Sequence, residues 1–315
     1  MLIEAAAQGD VKAQFDLGDR FSRGYGVKQD PEMSQSYYRQ AANQGDAEAQ
    51  FELASRFGRD PFDPLAPKEA LKLFQMAAEQ GHVSAQVALA KCCFEGFDMD
   101  KPDSVMAFKW MKMAAENGNP YAQYKIGRCY ENGEGVAQSA IDAVTWYRKA
   151  AINDYLDGKY KLGYCYYEGV GVEQDKVAAL MWYEKAAEAG MAEAQYQLAL
   201  CYANGEGTTK NLHQAKTWLL RVIENDVWNF DFPLRYAADA PFELGNCCDD
   251  QAEAVEWWHK AAAQGHGGAL EKLYFAHLHG YGVKKDEIKA EEFRQKAVAL
   301  NHPIGMEATG SWQNL

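Results

Sequence analysis

Cysteine, histidine and aspartate side chains that could bind a metal come close together only once in this sequence. The run from Cys247 to Asp250 reads Cys-Cys-Asp-Asp, and His259 and His266 follow it. Structural zinc sites commonly use cysteines spaced as Cys-x2-Cys, and the seven cysteines of the chain contain no such pair. We therefore predict no metal ligands here.

Three pairs of closely spaced glycines resemble fragments of phosphate-binding loops. They are Gly133/Gly135, Gly169/Gly171 and Gly205/Gly207. A phosphate-binding loop follows a strand and leads into Gly-Lys-Ser or Gly-Lys-Thr, and neither feature is present. The sequence also lacks Gly-x-Ser-x-Gly and His-Glu-x-x-His motifs. These patterns favour turns between helices, and they predict no catalytic residue and no cofactor.

The spacing of the cysteines indicates an internal repeat. Cys93, Cys129, Cys165 and Cys201 are each 36 residues apart, and the segments 122–136, 158–172 and 194–208 align directly. A fixed period of this size is typical of solenoid proteins. Eight copies can be aligned, and they start near residues 11, 47, 83, 120, 156, 192, 238 and 267.

Each copy predicts two helices. A small residue and an aliphatic residue four positions later, such as Gly158 and Leu162, define the apolar face of the first helix. The second helix carries a large apolar residue, such as Trp182, which we expect to be buried. Glycines end the first helices, and capping residues begin the second ones, at Asp30, Asp103, Ser139, Asp175, Asn211 and Asp286. Neither helix can bury its apolar face alone, so neighbouring copies must stack.

These motifs resemble those of the Sel-one-like repeat (SLR) family, which is related to the tetratricopeptide repeats. The match is clearest at Leu162, Gly163 and Tyr166, followed by Trp182-Tyr183 and Lys185-Ala186-Ala187. The resemblance implies an all-α, right-handed superhelical solenoid of about eight helix-turn-helix repeats, with half-repeats at both ends. We expect one domain over 1–315, an insertion at about 227–239 before copy 7, and a C-terminal cap at 303–315.

The composition restricts the class of partner. The 315 residues include 45 acidic and 32 basic side chains, for a net charge of −13. Nucleic acids and anionic membranes attract basic surfaces, so neither is an expected partner. No apolar stretch is long enough to cross a bilayer, and the first residues do not resemble a secretion signal. Because we expect the cysteines to be reduced, we predict that the protein is cytoplasmic. A periplasmic or secreted location remains the alternative if a secretion signal was removed upstream.

The first helices supply candidate partner-binding residues. With about 100° of rotation per residue, the positions two, six and nine after the small residue face away from the buried side. We call these positions +2, +6 and +9. They give the candidates Tyr124, Arg128, Glu131, Tyr160, Tyr164, Tyr167, Tyr196 and Leu200. The aromatic residues that recur at +2 are also explained by packing, whereas +6 and +9 vary between copies.

The irregular copy 7 supplies a second candidate surface. Its inserted segment is rich in aromatic residues, and acidic residues follow it. The candidates here are Trp228, Phe230, Phe232, Asp249, Asp250 and Glu253. This combination could dock a basic partner, or the aromatic residues could simply fill an irregular joint.

Three functions therefore remain open. The first is a non-catalytic scaffold or adaptor that binds a protein or peptide on its concave face, as the resemblance implies. The second is an inhibitor or immunity protein that neutralises a specific toxin or enzyme, for which an acidic surface suits a basic target. The third, an enzyme, is the least favoured. The sequence leaves the partner's identity and the oligomeric state open.

Overall fold

A computed structural model describes residues 1–57, 66–97, 101–227, 236, 238–302 and 304. All regular secondary structure in these ranges is helical, and it forms 17 helices that alternate with short turns. The helices fall into two compact units, Met1–Gly158 and Lys159–Leu315. The expected all-helical repeat architecture is confirmed, and the single domain over 1–315 stays a prediction.

The first unit begins with a half-repeat and continues with four helix pairs. Consecutive helices from α1 to α9 pack against each other. The helices are α1 (Leu2–Ala7), α2 (Val11–Arg23), α3 (Pro31–Asn43), α4 (Ala47–Phe57), α5 (Ala66–Glu79), α6 (Val83–Glu95), α7 (Ser104–Glu116), α8 (Pro120–Asn132) and α9 (Ala140–Ile152).

The second unit contains the other four pairs, and its first helix begins at the end of the first unit. Consecutive helices from α11 to α17 pack against each other. The helices are α10 (Leu156–Glu168), α11 (Lys176–Glu188), α12 (Ala192–Asn204), α13 (Leu212–Val227), α14 (Asp239–Asn246), α15 (Gln251–Ala263), α16 (Gly267–His279) and α17 (Glu287–Ala299). Most of the expected C-terminal cap lies outside the described residues.

The helix boundaries follow from capping. The carboxylates of Asp30 and Asp175 accept the backbone N–H groups of Met33 and Ala178, as the sequence predicted. Gly133 ends α8 in the left-handed conformation, at a φ of 75°, which glycine adopts without strain. First helices have caps as well, which the sequence analysis did not name, at Asp10, Asp46, His82, Asn119 and His266.

The apolar core lies between the two helices of each copy. Leu162 and the other aliphatic residues at its position are buried, as expected. In copy 5, however, the buried aromatic residue of the second helix is Tyr183, which is 1% exposed. Trp182 is only half-buried, and Lys185 holds its ammonium group 4.4 Å from the indole centre. The expectation that Trp182 is a core residue was therefore wrong, because its indole flanks the core beside a charged group.

Buried glutamines connect successive copies of the first unit. The side-chain amide of Gln50, which is fully buried, donates to the carbonyl of Ala42, and its oxygen accepts the amide of Gln80 at 2.8 Å. Gln14 makes the same pair of bonds with Ala6 and Gln44. These bonds satisfy polar groups at the inter-repeat joint that water cannot reach.

Copy 7 departs from the pattern. Its first helix, α14, has 8 residues, whereas α12 and α16 have 13. Its two helices are joined without a Gly-x-Gly turn. In copy 6 the Gly-x-Gly turn after α12 packs closely against the start of α11. A Cβ atom added at Gly207 would overlap the carbonyl oxygen of Lys176. Most of the expected insertion at 227–239 lies outside the described residues.

No helix in the described ranges combines the length and the apolar character needed to cross a bilayer.

Candidate partner-binding surface

The three tyrosines of copy 5 differ in their accessibility. Tyr164 is 38% exposed, so much of its ring is accessible to solvent. Tyr160 is half-buried, with its ring centre 5.8 Å from that of Tyr183. Tyr167 is also half-buried, and its hydroxyl donates a hydrogen bond to the carboxylate of Glu206.

The contact between Tyr167 and Glu206 joins copies 5 and 6. Burial and the bond to Glu206 hold the pKa of Tyr167 well above its usual range. The hydrogen bonds from Tyr167 and Lys176 lower the pKa of Glu206. Lys176 lies 2.9 Å from the carboxylate and completes a bridge between α10 and α11 on one side and the turn after α12 on the other. This geometry gives Tyr167 a structural role.

The candidates of copy 4 lie on α8 in the first unit. Tyr124 is half-buried between the rings of Tyr147 and Tyr155, at 5.9 and 5.4 Å, and burial raises its pKa. Glu131 accepts a hydrogen bond from the hydroxyl of Tyr147. Arg128 is half-buried and lines a surface cavity.

The candidates of copy 6 lie on α12. Tyr196 stacks on Tyr236, with ring centres 4.5 Å apart, and burial holds the pKa of its hydroxyl well above the usual range. Leu200 is half-buried. Tyr236 belongs to the inserted segment, so this residue of the insertion covers the ring at +2 of copy 6.

The three positions therefore differ in role. In copies 1, 2, 4 and 5 the aromatic residue at +2 packs against the aromatic residue of the second helix, as Phe15 does with Tyr38 and Tyr160 does with Tyr183. Residues at +9 include Glu131 and Tyr167, which form hydrogen bonds to other elements. Position +6 stays at least partly accessible in seven of the eight copies, and its residue type changes from copy to copy. From copy 1 to copy 8 it is Asp19, Ser55, Lys91, Arg128, Tyr164, Leu200, Asn246 and Phe275, of which only Phe275 is buried.

The acidic candidates of copy 7 are only partly available to a partner. Asp249 is exposed. Asp250 is also exposed, but its carboxylate caps α15 by accepting the N–H of Ala252 at 2.9 Å. Glu253 lies 2.6 Å from the ammonium of Lys216, and that hydrogen bond lowers its pKa. Trp228, Phe230 and Phe232 lie outside the described residues.

The cysteines are poor nucleophiles. All seven are thiols, and the five at the position after +6 are buried, except for Cys92, which is half-buried. Burial raises the pKa of Cys129 to about 11 and that of Cys201 to about 12, so almost no thiolate exists at neutral pH. Within the described ranges, no group of three or more His, Cys, Asp or Glu side chains is arranged to hold a metal ion.

The sequence analysis missed a basic cavity in the first unit. Its volume is about 420 Å³, and Lys91, Lys125 and Arg128 contribute three positive charges to its lining around Tyr121. The signal that could have found it is the equivalence of Lys91 and Arg128, which are both at +6 in adjacent copies. We refer to it as the basic cavity.

Comparison with solved structures relates the chain to other helical repeat proteins. A protective antigen of uropathogenic Escherichia coli with an SLR fold is 33% identical to this chain. The match covers 94% of this chain and 70% of the antigen chain, with a TM-score of 0.64. A Sel1 repeat protein from Oxalobacter formigenes is 28% identical, with coverages of 95% and 85% and a TM-score of 0.64. An immunity protein from Pseudomonas aeruginosa is 18% identical, with coverages of 70% and 85% and a TM-score of 0.41, too distant a likeness to bear on function.

The sequence comparisons agree with the repeat pattern. No curated protein sequence matches the chain. The family model of the Sel1 repeat matches residues 11–46, 47–82, 83–119, 120–155, 156–191, 192–226, 249–266 and 275–302. The gap between the sixth and seventh matches coincides with the irregular part of copy 7. Since the matched segments make up most of the sequence, the chain belongs to the Sel1 repeat family.

Proposed function

We propose that this protein is a non-catalytic scaffold that binds a protein or peptide through the exposed face of its first helices. Sel1 repeat proteins are generally protein-interaction scaffolds. The observation that carries the proposal is position +6, where Lys91, Arg128, Tyr164 and Leu200 occupy equivalent, accessible sites with different chemistry. A regular backbone that displays varied side chains can recognise a partner with specificity.

Tyr164 is the best single probe of this surface. Its ring is exposed, and tyrosine is among the residues most enriched at binding hot spots. The ammonium of Lys161, on the same helix, lies 5.7 Å from the ring centre. The loss of this ring should therefore weaken a partner contact without opening the core.

The test is affinity purification of the protein from the organism that encodes it, followed by mass spectrometry and a binding measurement with the recovered partner. Tyr164→Ala should weaken binding by about tenfold or more, while the unfolding temperature changes little. Met181→Ala is the matched control, because Met181 is 44% exposed on the second helix of the same copy. If Met181→Ala reduced binding and Tyr164→Ala did not, the proposed surface would be wrong.

An inhibitor of a basic protein is the second candidate. Asp249, Asp250 and Glu256 are exposed at the start of α15, in a chain with a net charge of −13. The informative variant is Asp249→Lys with Glu256→Lys, since Asp250 caps α15 and Glu253 pairs with Lys216. An inhibitor would be supported by a single stoichiometric basic partner whose binding is lost in this variant and at high salt. An adaptor would be supported by several partners whose binding changes with neither.

We also place the protein in the cytoplasm, a proposal supported by its seven cysteine thiols. The mass of protein purified without reductant and blocked with iodoacetamide should show seven alkylated cysteines after denaturation. A stoichiometric intrachain disulfide would contradict this compartment.

A further inference from the structure

Two ammonium groups from different repeats lie against one aromatic ring in the basic cavity. The ammonium of Lys91, on α6, is 4.8 Å from the ring centre of Tyr121, and that of Lys125, on α8, is 5.4 Å from the same centre. Arg128, three residues after Lys125 on α8, also lines the cavity. Two repeats thus bring three positive charges to one cavity.

The protein balances these charges only in part, because Glu95 and Glu134 line the same cavity and leave it a net charge of +1. None of the three cations forms an ion pair or a hydrogen bond with a carboxylate among the described residues, although Glu95 and Glu134 also line the cavity. The pKa of Lys125 is lowered by burial and then by the neighbouring charges of Arg128 and Lys91. Like charges that approach in a partly buried site destabilise the folded state, and a bound anion would remove that repulsion.

Part of the lining of the basic cavity is apolar. Phe94 and Met111 contribute apolar surface next to the cations. A cavity of about 420 Å³ is within the range of ligand pockets, and it has room for an amino-acid side chain and part of its neighbour. The combination suits a ligand in which a carboxylate lies beside an apolar group.

We propose that the basic cavity binds an acidic peptide segment of the partner, with a glutamate or aspartate carboxylate between Lys91, Lys125 and Arg128 and an apolar neighbour against Phe94 and Met111. The inference rests on the proposed function, since it specifies the chemistry that the scaffold recognises at copies 3 and 4. A net charge of +1 in the cavity suits one carboxylate. A nucleic acid is a poor fit, because it is an extended polyanion and the chain carries a net charge of −13.

The test uses a fluorescein-labelled octapeptide with one glutamate beside two leucines, and its twin with glutamine in place of glutamate. Fluorescence anisotropy at low salt should show the glutamate peptide binding about tenfold more tightly. Lys125→Met, which keeps most of the side-chain volume, should remove that preference. Lys109→Met is the control, because Lys109 is exposed on α7 outside the cavity. Equal affinity for both peptides would overturn the proposal.

The same variant provides a readout that needs no ligand. If the cations repel one another, Lys125→Met should raise the unfolding temperature of the full chain by roughly 1–3 °C, and Lys109→Met should not. A lower unfolding temperature for Lys125→Met would show that the lysine stabilises the cavity and would also overturn the proposal.

Two further arms identify the source of a failure. Inorganic phosphate that binds in place of the glutamate peptide would mark a small-anion site and exclude the peptide. A partner that is lost with Tyr164→Ala, while the glutamate peptide fails to bind, would leave the proposed scaffold function standing and remove only this inference.

Discussion

The ring of Tyr183 occupies the space that a side chain at Gly163 would fill. A Cβ atom added at Gly163 would lie 2.8 Å from the ring. Gly18 and Gly127 stand in the same relation to Tyr38 and Tyr147. In the copies where alanine replaces this glycine, the second helix carries a non-tyrosine residue instead: Phe74 with Ala54, Met111 with Ala90, and Leu219 with Ala199. The two positions therefore vary together to keep the inter-helix space filled.

This pairing predicts a rescue in copy 5. Gly163→Ala should destabilise the protein by about 1–3 kcal/mol, because the new methyl group overlaps a ring that is buried and cannot easily move. Combining it with Tyr183→Leu should recover part of the loss, since copy 6 uses Ala199 with Leu219. Urea unfolding of the two single variants and the double variant measures the coupling. Strictly additive changes in the free energy of unfolding would contradict the pairing.

The buried glutamines predict a polar contribution to the stacking of repeats. Gln50→Leu should cost about 1–3 kcal/mol, because it leaves the carbonyl of Ala42 and the amide of Gln80 without their partner. Gln75→Leu is the control, since Gln75 is exposed on α5 and its amide donates to Glu79 on the same helix. Thermal and urea unfolding compare the variants. A loss for Gln50→Leu no larger than that for Gln75→Leu would show that the buried bonds contribute little.

His277 predicts that stability falls at acidic pH. The side chain is 5% exposed, neither ring nitrogen has a hydrogen-bond partner among the described residues, and the ring lies 5.4 Å from that of Phe293. Burial lowers its pKa, and the charge of Lys289 adds to this, while Asp286 acts in the opposite direction. The nearby His259 also has a lowered pKa, mainly through burial.

The sign of the effect follows from proton linkage. Because the folded-state pKa lies below the unfolded value of about 6.5, the unfolded chain binds more protons as the pH falls, and folding stability decreases below about pH 6.5. His277→Phe should raise stability at pH 7 by about 1 kcal/mol and reduce the loss between pH 7 and 5. Urea unfolding across this range is the measurement, with the exposed His213→Phe as the control. An unchanged pH dependence in His277→Phe would assign the effect to other groups.

The cysteines predict a reactivity pattern. Cys92 and Cys248 are half-buried, whereas Cys129 and Cys201 are buried. Burial raises the pKa of Cys92 and that of Cys129 alike to about 11, so the reactivity of these two thiols should differ through accessibility. With a thiol-reactive disulfide reagent at pH 8, Cys92 and Cys248 should react first, and Cys129 and Cys201 only as fast as the helices open. In urea all seven cysteines should react at one rate. Rapid native labelling of Cys129 or Cys201 would contradict their burial.

The sequence by itself determined the repeat, the helix pairs and most of their boundaries. These features depend on local chemistry: a carboxylate such as that of Asp175 caps the helix next to it, and a glycine such as Gly133 ends its own helix. The core position of Leu162 follows from helical periodicity, which is also local.

The tertiary structure decided which outward-facing residues are available to a partner. Tyr164 and Tyr167 both face away from the buried side by periodicity, yet Tyr167 is held by Glu206, which is 39 residues away in the next copy. The basic cavity likewise joins Lys91 and Arg128 from two repeats. Periodicity gives the direction in which a side chain points, but the residues it meets there come from a neighbouring repeat, and only the packing of one repeat on the next determines that contact.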